Sequence, residues 1–145
     1  MRRLIQRCAA LVLLGLLTAC ANGTKFIDMS NQIPAIRKGE GRIYFYRYGE
    51  MQGSGVQPEI HVNGEVVGRS IPNGFFYVDR PAGEYTVSTS TEVERTTTFN
   101  LAEGETKYVK TSVSMGFLIG RVTPELQFPE QGRSSLMQLS YTPKQ

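Results

Sequence analysis

The chain contains few of the side chains that most often hold a metal or carry catalysis. Among its 145 residues there are one histidine, His61, and two cysteines, Cys8 and Cys20. Cys8 lies in a predicted leader peptide, so Cys20 is the only cysteine of the mature chain and no intramolecular disulfide can form. A zinc or copper site would have to combine His61 with carboxylates alone, and no pair at ligand spacing lies near it in the sequence. We therefore predict no metal site and no catalytic residue.

Long apolar runs and an excess of one charge are also missing. The apolar stretch over residues 8–17 has about ten residues, well short of the roughly 20 that a membrane-spanning helix needs. Three arginines precede it and small residues follow it, as in a secretory signal peptide. Subtracting Arg2, Arg3 and Arg7 from the 16 basic residues leaves 13, equal to the 13 acidic ones. A neutral chain lacks the basic surface that nucleic-acid binding requires, so we exclude nucleic acid as a partner.

The four residues Leu17, Thr18, Ala19 and Cys20 close this leader. They resemble the lipobox of bacterial lipoproteins, in which a leucine and two small residues precede an invariant cysteine. The resemblance implies that residues 1–19 are a lipoprotein signal peptide and that Cys20 carries a covalent diacylglycerol and an N-acyl lipid, with no other cofactor. Two or more acyl chains hold a protein stably on a membrane. Ala21 rather than an aspartate follows Cys20, which in such lipoproteins implies sorting to the periplasmic face of the outer membrane of a Gram-negative cell.

Behind the anchor, the sequence predicts a tether over residues 20–40, which docks in part on the domain, and one β-domain over residues 41–145. No segment keeps an apolar stripe at helical spacing over three turns. Short runs of β-forming residues alternate instead with turn signals at roughly 8–12 residue intervals. The strongest signal is Asn63-Gly64 between two apolar runs, because both residues accept positive φ and together predict a hairpin. We therefore predict an all-β fold, an antiparallel β-sandwich of about seven short strands behind a lipidated N-terminal tether.

The turns and core positions of this domain also carry a resemblance. The residues concerned are Val62-Asn63-Gly64, Gly68, Ile71-Pro72-Asn73-Gly74, Phe75-Phe76 and Pro81-Ala82-Gly83-Glu84-Tyr85-Thr86-Val87. They are similar to PEGA-like and carboxypeptidase-regulatory-like β-sandwich modules. Together with the lipobox and the run Arg42-Ile43-Tyr44-Phe45-Tyr46-Arg47, the mature chain resembles bacterial lipoproteins of the domain of unknown function 2846 family. The likeness covers roughly residues 40–115, and it implies a non-enzymatic adhesive, spacer or surface-binding role.

Three tyrosines are the first candidate binding surface. Tyr44, Tyr46 and Tyr48 alternate along a predicted strand whose other face carries Ile43 and Phe45. Large side chains on both faces indicate a central or doubly covered strand. Together with Phe76 and Tyr77, the tyrosines either form an aromatic strip that binds a glycan or a peptide, or fill the second face of the sandwich or lie under the tether.

An apolar segment between glycines is the second candidate. Residues 115–120 include Phe117 and Leu118 and follow the point at which the strand pattern ends. This segment either docks on a membrane or on another protein, or is buried as a core strand. Glu92 and Glu94 lie on a predicted edge hairpin, where we expect both carboxylates to be solvated.

The preferred hypothesis is a non-catalytic outer-membrane lipoprotein whose sandwich binds or spaces a periplasmic protein or an envelope polymer. The chain is not predicted to be an enzyme. One alternative is an envelope hydrolase or metal-dependent enzyme that uses His61 with Asp79 or a glutamate. The other is a carrier of a small ligand or lipid, with a pocket between the two sheets. The sequence does not indicate the oligomeric state.

Overall fold

The computed structural model describes residues 23–50 and 53–143, which form a sandwich of two β-sheets. The described strands are β1 Glu40–Tyr46, β2 Glu59–Val62, β3 Glu65–Arg69, β4 Gly74–Pro81, β5 Gly83–Ser90, β6 Glu94–Leu101, β7 Thr106–Ser114, β8 Arg121–Gln127 and β9 Ser140–Tyr141. The described helices are α1 Phe26–Met29, which continues into a 3₁₀ turn at Ser30–Gln32, and α2 Pro129–Leu136. Within these ranges no helix has the length and apolar character needed to cross a bilayer. The predicted signal peptide, the lipobox and Cys20 lie outside the described residues.

The larger sheet has the strand order β8-β7-β1-β4-β9, and the smaller sheet has the order β3-β2-β5-β6. The predicted all-β sandwich is confirmed. It differs from the prediction in two details: nine strands are described rather than about seven, and the pairs β1–β7 and β4–β9 are parallel. Antiparallel neighbours joined by tight turns carry a local signal in the sequence. Parallel neighbours come from distant parts of the chain, so no turn residue announces them.

The predicted hairpin at Asn63-Gly64 joins β2 to β3. Both residues have positive φ, 49° and 83°, which matches the right-handed twist of the two strands. The Asn63 side chain also accepts a hydrogen bond of 2.8 Å from the backbone N–H of Thr86 on β5. The turn is therefore tied to the next strand of the smaller sheet as well as closing its own hairpin.

Strand β1 is the centre of the molecule, because both of its faces are covered. Its Ile43 and Phe45 side chains are fully buried between the sheets, and Phe45 stacks on Phe76 with ring centroids 5.0 Å apart. The buried core between the sheets consists of Ile43, Phe45, Ile60, Val62, Val67, Phe76, Val87, Phe99, Leu101 and Val109. The predicted character of β1, with large side chains on both faces, follows from this position.

Strand β8 lies in a stretch whose pattern is irregular in the sequence. Pro124 occupies its middle and pairs in register with Thr111 of β7. Proline has no backbone N–H to donate to a ladder, and β8 tolerates it because β8 is an edge strand of the larger sheet.

A second buried layer covers the outer face of the larger sheet. It is built from Phe26, Tyr44, Tyr46, Phe75, Tyr108, Leu136 and Leu139. Helix α2 approaches β7 closely at Gly132, where an added Cβ would lie 2.3 Å from Cγ of Tyr108. A glycine inside this helix is thus required by the close contact with the tyrosine ring.

The N-terminal end of the described chain is docked on this layer. The Phe26 N–H donates to the Leu139 carbonyl at 3.0 Å, and the Tyr141 N–H donates to the Thr24 carbonyl at 2.8 Å. The Phe26 ring is 8% exposed and meets Tyr44 and Phe75 edge-on. We call residues 24–33 the docked segment. The sequence predicts a tether that docks in part, and residues 24–33 are a part that packs on the domain.

Candidate functional site

Tyr44 and Tyr46 do not form an exposed aromatic strip. Both are buried under the docked segment and α2, and Tyr44 stacks on Tyr108 with centroids 5.5 Å apart and rings within 9° of parallel. Burial raises the pKa of both phenols above the ordinary tyrosine value, so the neutral form is favoured. Their assignment as partner-binding residues is therefore corrected: they fill the second covered face of β1, which was the alternative interpretation.

Tyr48, just beyond β1, differs from the other two tyrosines. It is 37% exposed, and its hydroxyl donates to Oγ of Ser135 on α2 at 2.5 Å. The Lys110 ammonium lies 5.4 Å from the centroid of the Tyr48 ring, within the range of a cation–π contact. Tyr48 stays a candidate for partner binding, as a single ring at the edge of α2 and not as part of a strip.

Asp79 is held in a buried ion pair on the outer face of the larger sheet. The Arg42 guanidinium donates to both Asp79 carboxylate oxygens, at 2.7 and 2.8 Å, and to the Pro34 carbonyl at 2.8 Å. It also lies over the Tyr77 ring, 4.4 Å from the centroid. The hydrogen bonds to Asp79 raise the pKa of Arg42 despite its burial. This bidentate pair fixes the docked segment to β1 and β4, because Pro34 belongs to the chain that leads out of that segment.

His61 lies on the opposite outer face of the sandwich, on β2 of the smaller sheet. Its Nε2 is 3.7 Å from Oε2 of Glu59, and Ser88 of β5 is its partner in register. The proposed pairing of His61 with Asp79 is wrong, since the two side chains lie on different sheets and Asp79 is bound to Arg42. Among residues 23–50 and 53–143, no three His, Cys, Asp or Glu side chains come together as a possible metal site.

The space between the sheets is filled by side chains. The gap beside Phe45, Ile60 and Phe76 is too small to hold a water molecule. A carrier would need a ligand-sized pocket at this place. The packing of the two sheets therefore does not favour the hypothesis of a carrier with a pocket between them.

The segment between β7 and β8 forms an exposed apolar loop. We define the apolar loop as residues 115–119, in which Met115, Phe117 and Leu118 are between 85% and 89% exposed and Ile119 is 53% exposed. An open surface cavity of about 300 Å³ lies beside it and is lined in part by Glu50 and Val113. The alternative in which this segment is a buried core strand is thus incorrect. The candidates Phe117 and Leu118 are surface residues, and their role in binding stays a prediction.

Glu92 holds the backbone of the apolar loop from across the sandwich. It lies in the turn between β5 and β6, and its carboxylate accepts hydrogen bonds from the backbone N–H groups of Phe117, Leu118 and Ile119. The Phe117 nitrogen is 2.9 Å from Oε2, and the Ile119 nitrogen is 2.5 Å from Oε1. The large side chains of the loop are exposed, and the loop is held in place by these hydrogen bonds from its backbone to Glu92.

The charge of Glu92 is stabilised by this arrangement. Hydrogen bonds from the three amides, that of Ile119 first, lower the pKa of Glu92 to about 2, and the Arg121 guanidinium 3.6 Å away lowers it further. A carboxylate that accepts several backbone hydrogen bonds stays ionised far below its ordinary titration range. The expectation of a solvated Glu92 is corrected, since its side chain is only 15% exposed beneath the loop.

Comparison with known proteins places these features in a family. The family described as Protein of unknown function (DUF2846) matches residues 37–122. The chain belongs to the DUF2846 family. A relative is an uncharacterized protein of Haemophilus influenzae, 23% identical over 144 residues that cover 96% of this chain and 85% of that protein. No solved structure matches the chain.

The match to DUF2846 includes the apolar loop and Glu92. The docked segment and helix α2, which cover the outer face of the larger sheet, lie outside the matched residues. The DUF2846 region of this chain therefore contains both sheets except for β9 and most of β8.

Proposed function

We propose that this DUF2846 protein is a non-catalytic binding module of the cell envelope, anchored by lipid on Cys20 to the periplasmic face of the outer membrane. The lipobox residues Leu17, Thr18, Ala19 and Cys20 support the anchor. The docked segment supports a domain that lies close to the membrane, because Thr24, which is bonded to β9, is only four residues from Cys20.

The apolar loop is the observation that carries the binding role. Exposed aromatic and aliphatic side chains that lie next to one another usually mark a site of contact with a partner or a membrane. Here the loop is also pre-organised, because the Glu92 carboxylate binds three consecutive backbone amides. A contact surface that is already ordered loses little conformational entropy when it binds. Phe117 and Leu118 are the residues that we propose to make the contact.

The non-catalytic part of the proposal is supported by the positions of the charged groups. The acidic residue that a His61 hydrolase would use, Asp79, is paired with Arg42 on the other side of the sandwich. His61 itself has Glu59 at 3.7 Å and lies on an open face. A nucleophile, a base and an orienting acid within hydrogen-bond reach of one another would be needed for hydrolysis.

Labelling of the cysteines in cells tests the anchor. Wild-type protein and the Cys8→Ser variant are expected to incorporate labelled palmitate and to fractionate with outer membranes. Cys20→Ser is expected to incorporate none and to stay as the uncleaved precursor. Cys8→Ser is the matched control, because it removes the other cysteine and leaves the lipobox intact. Normal processing and normal membrane fractionation of Cys20→Ser would refute the proposal.

A further inference from the structure

We infer that the apolar loop inserts into the lipid surface that carries the Cys20 acyl chains, so that the bilayer itself is the partner contacted by Phe117 and Leu118. This inference rests on the proposed function, since it takes the lipid on Cys20 as the anchor. It adds a second attachment point at a defined place in the fold, and it commits to lipid as the occupant of this surface.

The length of chain between the anchor and the domain keeps the loop near the bilayer. Thr24 is four residues along the chain from Cys20, and four steps of roughly 3.3–3.6 Å span at most about 14 Å. Thr24 lies beside Tyr141 on β9, and the loop begins after Ser114 on β7 of the same sheet. From the usual spacing between strands and the rise per residue, Thr24 and Ser114 lie on the order of 20–25 Å apart. The loop is thus always within a few nanometres of the membrane surface, where tethering gives it a high effective concentration.

Three backbone amides of the loop already have the hydrogen-bond partners that an apolar medium would not supply. An amide N–H that enters lipid without a partner is strongly unfavourable. The amides of Phe117, Leu118 and Ile119 already donate to Glu92, so three of the polar groups at the tip are satisfied inside the protein. The same hydrogen bonds lower the pKa of Glu92 to about 2, and they therefore oppose the rise in pKa that a less polar surrounding would cause.

The side chains of the loop fit lipid better than they fit a protein partner. Residues 115–119 are Met, Gly, Phe, Leu and Ile, with no polar side chain among them. Protein interfaces carry about one hydrogen bond per 100–200 Å² and a polar rim. Acyl chains require no hydrogen bonds, and Phe and Leu are typical of side chains that enter the boundary between head groups and acyl chains.

The chain offers an internal control at the far end of β8. Phe128 follows β8 and is 81% exposed, whereas the apolar loop precedes the same strand. The seven residues of β8 separate the two sites by roughly 23 Å. A membrane that covers the loop end of the sandwich therefore leaves Phe128 in water.

Tryptophan fluorescence of the lipidated protein tests the inference. The chain contains no tryptophan, so Phe117→Trp and Phe128→Trp each introduce a single probe at an exposed aromatic position. Both variants are purified with their acyl chains and reconstituted in vesicles of phosphatidylethanolamine and phosphatidylglycerol, with and without bromine on the acyl chains. Mass measurement of the N-terminal peptide and vesicle flotation establish the anchor separately.

We expect emission of Phe117→Trp to shift to shorter wavelength and to be quenched several-fold more by brominated lipid than that of Phe128→Trp. Equal quenching of the two probes in a protein that carries its acyl chains and floats with the vesicles would overturn the inference and leave the proposed anchor intact. A partner other than lipid would give this result. An N-terminal peptide without acyl mass would overturn the proposed anchor, and the inference with it. Matching circular dichroism spectra of the two variants exclude misfolding as the cause of a difference.

Discussion

Phe26 is the residue whose removal most directly tests how the docked segment is held. Its ring is 8% exposed and makes edge-on contacts with Tyr44 and Phe75, with centroids 6.0 and 5.4 Å apart. An aromatic side chain buries roughly 150–250 Å², which at about 25 cal/mol per Å² corresponds to about 4–6 kcal/mol at most. Phe→Ala changes in cores cost about 3–5 kcal/mol.

We expect Phe26→Ala to lower the free energy of unfolding by about 3 kcal/mol, at the lower end of that range. The reason is that the segment can leave the sheet when its anchor is lost, and it then regains conformational entropy that partly offsets the lost burial. Undocking also removes the hydrogen bonds from Phe26 to Leu139 and from Tyr141 to Thr24. The amide of Tyr141 should therefore lose its protection from hydrogen exchange more than amides of β1 do.

Urea unfolding and amide exchange of the mature chain with Cys20→Ser measure both effects. Ile27→Ala is the matched control, because Ile27 is the next residue of α1 and is 61% exposed. Substitutions at such exposed positions usually change stability by less than about 0.5 kcal/mol. The reasoning is refuted if Phe26→Ala and Ile27→Ala unfold at the same urea concentration and the Tyr141 amide stays protected in both.

Two further predictions concern the apolar loop and the loop between β1 and β2, which lie at the same end of the sandwich. The pKa of Glu92, about 2, lies below that of an unfolded glutamate, so its contribution is present above about pH 4.5 and is lost as the pH falls toward 2. The amide resonance of Ile119 should thus titrate near pH 2 in wild type and in the control Glu94→Gln. A midpoint near 4.5 would contradict the hydrogen bonds from the loop amides to Glu92. Glu92→Gln should speed the hydrogen exchange of the Ile119 amide. The buried Arg47 guanidinium donates to three backbone carbonyls, so Arg47→Lys should cost about 2–4 kcal/mol in urea unfolding. Arg69 is exposed and its guanidinium donates to the Gln57 carbonyl at the surface, so Arg69→Lys should cost less than about 0.5 kcal/mol. Equal losses for the two variants would show that the buried hydrogen bonds of Arg47 contribute nothing.

The elements that the sequence predicts well are those whose cause is local. Asn63 and Gly64 determine their hairpin by their own conformational preferences, and the alternation Ile43-Tyr44-Phe45-Tyr46 shows that both faces of β1 carry large side chains. The residues that cover the outer face of the larger sheet are distant from β1 in the sequence. Phe26 and helix α2 come from opposite ends of the described chain, so the same alternation fits a buried layer and an exposed aromatic strip equally well.

The candidate site shows the same division. The apolar composition of residues 115–119 is visible in the sequence, but its exposure depends on whether a neighbouring element covers it. Glu92 is 25 residues from Phe117 and carries no motif. It meets the loop only because the end of β5 packs on β8, where the Thr89 hydroxyl donates to the Val122 carbonyl at 2.7 Å. Gly116 within the loop and Gly120 after it predict a turn, but no signal in the sequence predicts which side chain binds its backbone amides.

The two proposed attachments together determine how the domain would face the membrane. A lipid on Cys20 alone leaves a domain free to rotate about a chain of at most about 14 Å. Insertion of the apolar loop would remove most of that freedom, because the loop and Thr24 are separated along the larger sheet. The loop-bearing end would then lie on the bilayer, and the strands would lead away from it. The turns at the opposite end, Ala102–Glu105 between β6 and β7 and Ala82 between β4 and β5, would face the periplasm. An envelope polymer or protein that binds the anchored domain would therefore reach that far end first. A crosslinking search for such a partner should place the crosslinker at these turns and not at Phe117.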